Sequence, residues 1–117
     1  MSIPDLNTIE KKIRVKFLDK KLLTEAFTHK SYSIEHGTLT CNERLEFLGD
    51  SIISAVVAHW LFKRFQNVDE GRLSKWKSQI VSRANLYNWA EELELGQHLR
   101  IWNLFKVSFA QRKVNWQ

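Results

Sequence analysis

The spacing of hydrophobic and polar residues predicts a protein that is helical almost throughout. Apolar side chains recur every three or four positions, and no alternating strand pattern stands out. One proline and four glycines leave few helix breakers. We predict five helices over approximately residues 5–15, 20–32, 43–65, 70–82 and 85–95, with a loop at 33–41 and Gly96 as the last C-cap. The predicted fold class is therefore all-α.

Three carboxylates interrupt the third predicted helix, which is otherwise nearly apolar all round and therefore expected to be central. At about 100° per residue, Glu43, Glu46 and Asp50 fall within an arc of roughly 60°. The opposite arc is apolar and contains Leu45, Leu48, Ile52 and Val56. Because Phe47 and Ile53 flank the acidic stripe, we expect these carboxylates to lie at the edge of a core.

Two explanations of the acidic stripe stay open from the spacing alone. Partly buried like charges repel one another, and a hard divalent cation such as Mg²⁺ would neutralise them. Alternatively, the helix dipole favours acids near a helix start, where Asn42 is a good N-cap and Glu43 lies in the first turn. The dipole does not account for Asp50, about two turns into the helix.

The whole run of residues 42–51, Asn-Glu-Arg-Leu-Glu-Phe-Leu-Gly-Asp-Ser, resembles the signature of the ribonuclease III family of double-stranded-RNA endonucleases. Residues 22–32 resemble that family's second helix and its Thr-His-Lys/Arg-Ser segment. Residues 68–74 and 93–96 resemble its later helix boundaries. The resemblance covers roughly residues 5–100 and implies an all-α ribonuclease III-like endonuclease domain built as a helical bundle.

The resemblance also implies roles for individual residues. Glu46 and Asp50 match the catalytic carboxylates that bind Mg²⁺, for which Mn²⁺ is a substitute. Glu43 matches an acid near the dimer seam implicated in substrate positioning, and Glu70 matches an acid near the catalytic valley. Four further residues are candidates for RNA contact, with helix capping or a solvated face as the alternative reading: His29, Lys30, Lys75 and Lys77.

The implied function is cleavage of double-stranded RNA in RNA processing, including that of ribosomal RNA. Family members work as homodimers that leave 5′-phosphate and 3′-hydroxyl ends by metal-assisted hydrolysis. We accordingly expect a homodimer, a duplex RNA partner, and no small-molecule cofactor beyond the divalent metal.

One departure from the family pattern concerns its second acidic helix, which carries an Asp and a Glu three residues apart. No Asp or Glu follows Glu94 in this chain. We therefore predict a partial nuclease domain at 1–100 and a divergent basic and aromatic tail at 101–117, with no double-stranded-RNA-binding domain. Two alternatives stay open: a catalytically inactive truncated member acting as an RNA-binding or dimerisation scaffold, and an incomplete product that cannot bury its core.

Composition sets outer bounds on these expectations. The chain has 117 residues and a single cysteine, Cys41, which excludes an internal disulfide. With no apolar leader or long uncharged apolar run, we expect a cytoplasmic protein that does not engage a membrane. The net charge is +5, but residues 1–94 hold 14 basic and 13 acidic side chains. Most of the excess lies in the tail, so the signature and not the net charge indicates RNA.

Overall fold

The computed structural model describes residues 5–38 and 40–98, and this part of the chain is built from helices. The predicted all-α class is confirmed. The helices are α1 (Leu6–Ile13), α2 (Lys20–Ala26), α3 (Lys30–His36), α4 (Glu43–Arg64), α5 (Glu70–Ile80) and α6 (Arg83–Glu92), followed by a 3₁₀ turn at Gly96–His98. The predicted tail at 101–117 lies outside the described residues.

The chain divides into two compact units. Among the described residues, the first comprises 5–38, 40–45 and 96–98, and the second comprises 46–95. Helices α1 to α3 and the first turn of α4 belong to the first unit, whereas the rest of α4, α5 and α6 belong to the second.

Helix α1 has a defined cap at each end, and its predicted position is confirmed. The Asp5 carboxylate accepts a hydrogen bond from the Thr8 backbone N–H at 3.2 Å, which satisfies a donor of the first turn. Arg14 ends the helix in the left-handed conformation, with φ at 59°, and its N–H donates to the Glu10 carbonyl oxygen. Ile9, on the inner face, is fully buried.

A buried carboxylate joins the end of α1 to the start of α2. Glu10 is 7 % exposed, and its Oε2 accepts from the Phe17 backbone N–H at 2.6 Å and from Lys20 Nζ at 2.5 Å. The hydrogen bond from Lys20 and that from Phe17 hold the pKa of Glu10 below its ordinary value, against the opposing effect of burial. The ionised carboxylate is therefore part of the fold of the first unit.

The 3₁₀ turn also contacts α1. Lys12 Nζ lies 2.9 Å from His98 Nε2. Burial, and then the positive charge of Lys12, lower the pKa of His98, so at neutral pH the ring is uncharged and Nε2 accepts from the ammonium.

The predicted single helix over residues 20–32 is wrong, because two helices meet there at a sharp junction. Helix α2 ends at Ala26, and the buried Thr28 donates from Oγ1 to the Thr24 carbonyl oxygen at 2.7 Å. His29 then begins α3, with its Nδ1 accepting from the Ser31 N–H at 3.1 Å. Residues 20–36 contain no proline or glycine, so no helix breaker marks this junction in the sequence.

The predicted loop at 33–41 is wrong in its first part. Helix α3 continues to His36, whose ring stacks on Tyr32 with centroids 3.9 Å apart. Gly37 ends the helix with φ at 66°, a conformation that glycine adopts without strain.

The second unit is held by aromatic contacts and by capped helices. Phe65 lies edge-on between Trp60 and Trp76, at centroid distances of 6.0 and 5.1 Å, and Leu61 is buried. The predicted helices at 70–82 and 85–95 are confirmed, although α6 begins two residues early because Ser82 caps it.

Gly96 is not the C-cap of α6, as the sequence suggested. Glu94 takes the left-handed conformation instead, with φ at 53°, and the Leu95 N–H donates to the Ala90 carbonyl oxygen at 3.0 Å. A non-glycine residue with positive φ is uncommon. The prediction therefore chose the nearest glycine, Gly96, two residues after the residue that takes this conformation.

Helix α4 has its predicted bounds but not its predicted environment. The prediction that it is central is wrong: of its residues only Leu61 is buried. Phe47 is 79 % exposed, and other apolar side chains along the helix are also exposed, namely Leu48, Ile52, Ile53, Val56, Trp60 and Phe62. A hydrophobic pattern shows that a helix has an apolar surface to bury, but it does not show which element packs against that surface.

By length and composition, α4 is also the single helix among residues 5–38 and 40–98 that could cross a membrane. It has 22 residues, and its most apolar window has a mean hydropathy of 1.4. Soluble core helices pass the same test. The helix also carries Glu46 and Asp50, and an acid at a bilayer centre costs about 3 kcal/mol.

We expect Glu10→Gln to destabilise the first unit at neutral pH, because the amide loses the charge that faces Lys20. The folded-state pKa of Glu10 is lowered, so its contribution is present above the unfolded-state value of about 4.5 and is lost as the pH falls through the folded-state value. Urea denaturation followed by circular dichroism at neutral and acid pH measures this. The exposed Glu35→Gln serves as the control, and an equal midpoint for both variants at neutral pH would contradict the expectation.

We expect Asp69→Ala to destabilise the second unit by about 1 kcal/mol, because Asp69 caps α5. Its carboxylate accepts from the Arg72 N–H at 2.8 Å. Asp69→Asn keeps an accepting oxygen and should retain most of the stability. Urea denaturation of both variants is the measurement, and equal losses would show that charge rather than capping matters.

Candidate functional site

The acids of α4 lie on one exposed face of a continuous helix. Glu43, Glu46 and Asp50 follow at intervals of three and four residues, and all three are exposed. The expectation that they lie at the edge of a core is therefore wrong for this chain, because the apolar side chains beside them are exposed as well. An exposed carboxylate stripe is accessible to solvent cations and to a large ligand.

The start of α4 is fastened to the junction between α2 and α3. The Asn42 backbone N–H donates to the Thr28 carbonyl oxygen at 2.8 Å, and its side-chain amide donates to the Ala26 carbonyl oxygen at 3.3 Å. Asn42 thus positions the first turn of α4 by two hydrogen bonds to one short segment.

Two of the predicted site residues meet at this point. Lys30 Nζ lies 3.5 Å from Glu43 Oε1, with both side chains more than half exposed. An exposed pair of this kind contributes at most about 1 kcal/mol. Its effect is positional, since it holds the first acid of the stripe beside the N-terminus of α3.

His29 serves as the N-cap of α3. Its Nδ1 accepts from the Ser31 N–H and lies 2.8 Å from Ser31 Oγ. The capping alternative raised by the sequence is therefore observed, and the RNA-contact hypothesis for His29 stays a prediction.

The candidates on α5 are dispersed. Glu70 lies in the first turn, where its Oε1 accepts from Ser74 Oγ at 2.7 Å. Lys75 and Lys77 are two positions apart, so they point about 200° away from each other around the helix. A single flat ligand surface can therefore engage one of these lysines but not both.

No group of three or more His, Cys, Asp or Glu residues within 5–38 and 40–98 is arranged to hold a metal ion. Glu70 therefore does not converge with Glu46 and Asp50 into such a cluster. What α4 offers by itself is a pair of carboxylates one helical turn apart.

Comparison with known proteins places this geometry in a family. A family model described as ribonuclease-III-like matches residues 19–115. The chain belongs to the ribonuclease-III-like family. The match begins later and ends later than the range of roughly 5–100 indicated by the sequence motifs.

Curated relatives of this ribonuclease-III-like chain are bacterial enzymes named ribonuclease 3. The protein of Bordetella pertussis strain Tohama I is 44% identical over 101 residues, which are 86% of this chain and 38% of that one. The protein of Oceanobacillus iheyensis is 42% identical over 99 residues, covering 83% and 43%. The chain thus spans about two fifths of the length of these relatives.

Solved nuclease domains share the fold. The ribonuclease III nuclease domain of Campylobacter jejuni superposes with a TM-score of 0.83 at 33% identity, covering 91% of this chain and 71% of that one. That structure is described for flexibility in a region involved in dimer formation. A second structure of the same domain gives a TM-score of 0.81.

The donor set on α4 fits Mg²⁺ as a partial site. Mg²⁺ keeps several waters and is usually bound by one or two carboxylates, and its ligand geometry is octahedral. Glu46 and Asp50 supply two such carboxylates on an exposed face. With waters completing the shell, we expect weak binding.

We expect Glu46→Gln and Asp50→Asn each to weaken Mg²⁺ binding, because each removes one of the two proposed carboxylate ligands. The fold should stay intact, because both side chains are exposed. Titration calorimetry measures the affinity, and circular dichroism checks the fold. Glu92→Gln, an exposed acid on α6, is the matched control. Unchanged Mg²⁺ affinity in both α4 variants would overturn the assignment of these two residues as ligands.

Proposed function

We propose that this chain is an endoribonuclease domain that hydrolyses double-stranded RNA to 5′-phosphate and 3′-hydroxyl ends with the help of Mg²⁺. The observation that carries the proposal is the exposed pair Glu46 and Asp50 on α4 of a ribonuclease-III-like chain. The bacterial relatives named ribonuclease 3 support it.

In this proposal the two carboxylates must both reach one cation and must stay accessible to RNA. Glu46 and Asp50 lie one turn apart, so both can reach one cation while the α4 backbone fixes their spacing. When bound, Mg²⁺ supplies positive charge that activates water and stabilises the phosphate oxygens in the transition state. Exposure of both side chains lets a ligand as large as an RNA duplex approach them.

The neighbouring acid, Glu43, has a positioning role in this proposal. It lies in the first turn of α4, one turn before Glu46, and pairs with Lys30. Glu70 is similarly held by Ser74 on α5. Both acids would orient RNA and shape the local charge, while Glu46 and Asp50 carry the chemistry.

We further propose that two copies of this chain pair through the exposed apolar surface of α4. Phe47 is 79 % exposed beside the acidic stripe, and a Cβ built on Gly49 meets nothing within 4 Å. This surface is apolar and exposed, and Gly49 leaves room for the close approach of a second copy of the chain related by a twofold axis. The C. jejuni nuclease domain, for which a dimer-forming region is described, supports the proposal.

We expect Phe47→Asp to convert the dimer to a monomer, because a charge would then be buried at the interface. Analytical ultracentrifugation measures the molecular mass. Leu18→Asp is the matched control, since Leu18 is also an exposed apolar residue but lies outside α4. A wild-type chain that sediments as a monomer, or a Phe47→Asp variant that remains a dimer, would contradict pairing through this surface.

Cleavage of a long RNA duplex by the purified chain tests the activity. We expect cutting with Mg²⁺, none with excess chelator, and a loss of at least about 100-fold for Asp50→Asn, the scale of removing one group that stabilises transition-state charge. Cutting that persists in chelator or in Asp50→Asn would overturn the proposed chemistry.

One observation favours a second candidate function, an RNA-binding or dimerisation scaffold without catalysis. Residues 5–38 and 40–98 contain no group of three or more His, Cys, Asp or Glu side chains that could hold a metal ion. A chain that melts cooperatively and binds duplex RNA, yet does not cut it in Mg²⁺, would identify the scaffold. Cutting that depends on Asp50 would exclude it.

A further inference from the structure

A dense group of basic side chains lies at the end of α1 and the start of α2. Between residues 11 and 21 the chain carries six basic side chains and a single acidic one. The basic residues are Lys11, Lys12, Arg14, Lys16, Lys20 and Lys21. Counting charge over residues 1–94 as a whole hides this group, because acids elsewhere balance it.

The acids nearest to this group are already engaged. Glu10 accepts from Lys20 Nζ and from the Phe17 N–H. Asp19 caps α2 by accepting from the Lys21 N–H at 3.0 Å. Asp5 accepts from the N–H and the hydroxyl of Thr8. These carboxylates are committed to the local fold, so their capacity to neutralise further cations is limited.

Some of the cations are committed as well. Lys20 pairs with Glu10, and Lys12 bonds to His98. Three others, Lys11, Arg14 and Lys16, are exposed, and within residues 5–38 and 40–98 none of the three forms an ion pair with a carboxylate. Lys16 is near enough to Glu10 for its charge to help lower the pKa of that carboxyl, but Lys20 is the cation that pairs with Glu10.

These three side chains line one concavity. Its volume is ≈ 470 Å³, and its other lining residues are Asn7, Glu10 and Val15. Lys11 lies in the last turn of α1, and Arg14 is the C-cap of that helix. The left-handed conformation of Arg14, with φ at 59°, ends the helix and turns the chain so that Lys16 lines the same concavity. We call Lys11, Arg14 and Lys16 the α1 basic patch.

We propose that the α1 basic patch is a phosphate-backbone site that binds one strand of an RNA duplex. The proposal rests on the proposed function for the identity of the nucleic acid. Three exposed cations that form no ion pair with a carboxylate attract the negative charge of a phosphodiester backbone, and such contacts do not depend on base sequence. An acidic protein surface is the competing occupant.

The α1 basic patch adds affinity without taking part in hydrolysis. Neutralising a phosphate releases a condensed counterion, so each contact contributes about 0.9 to the slope of log affinity against log salt. Three contacts would therefore account for a slope of about 2.7. This salt dependence distinguishes phosphate contacts from a merely structural role.

The test compares two triple variants that remove the same charge. Lys11→Gln, Arg14→Asn and Lys16→Gln together remove the patch, with asparagine chosen because it tolerates the left-handed conformation. Lys63→Gln, Arg72→Gln and Arg83→Gln together are the control, since these are exposed residues of the other unit. Fluorescence anisotropy with a labelled RNA duplex in chelator, at several salt concentrations, reports binding without cleavage.

We expect the patch variant to bind at least about 10-fold more weakly near physiological salt, with its slope reduced by about 2 to 3. The control variant should change both quantities much less. Equal losses in the two variants, an unchanged slope in the patch variant, or no RNA binding by the wild-type chain would each overturn the proposal. Competition by poly-glutamate as strong as that by RNA at equal charge would also overturn it, in favour of an acidic protein.

A second measurement uses the unaltered chain, so it does not depend on the fold of a variant. Lysine acetylation followed by mass spectrometry should show that RNA protects Lys11 and Lys16 but not Lys63. Equal modification with and without RNA would overturn the patch. Because neither measurement needs hydrolysis, a chain that binds through the patch but does not cut would refute the proposed activity alone.

Discussion

The exposed apolar surface of α4 is the physical constraint on which the rest of this protein depends. Burying apolar surface contributes about 25 cal/mol per Å², so a row of exposed large side chains forgoes several kcal/mol in an isolated chain. The same helix carries Glu46 and Asp50 on a neighbouring arc. Any element that packs on the apolar side chains must therefore leave the carboxylates accessible. One helix thus carries both the proposed dimer surface and the proposed catalytic residues.

Sequence reasoning located α1, α4 and α5 well because their starts and stops have local causes, such as the caps at Asp5 and Asp69. It failed at residues 27–29, where a threonine hydroxyl and a histidine cap separate two helices without a proline or glycine, and at Gly96, because Glu94 takes the left-handed conformation instead. It also predicted burial for α4, because periodicity identifies an apolar face without identifying its partner.

The candidate site, like the fold, could be predicted only in part from the sequence. Helical spacing alone predicted that the three acids of α4 lie on one face. Membership of the ribonuclease-III-like family is the reason to propose a nuclease role for that face. The pairing of Lys30 with Glu43 could not be predicted, because it requires α3 to begin at Lys30. Charge counted over long segments likewise concealed the α1 basic patch, which a count over ten or so residues reveals.

The carboxylate of Glu10 has a spectroscopic consequence. The Phe17 amide donates to it at 2.6 Å, across the connection between α1 and α2. An amide proton in a short bond to an ionised oxygen resonates far downfield in nuclear magnetic resonance spectra and exchanges slowly with solvent. The Phe17 proton therefore reports, in the intact chain, whether its hydrogen bond to Glu10 is kept when RNA or a second copy is added.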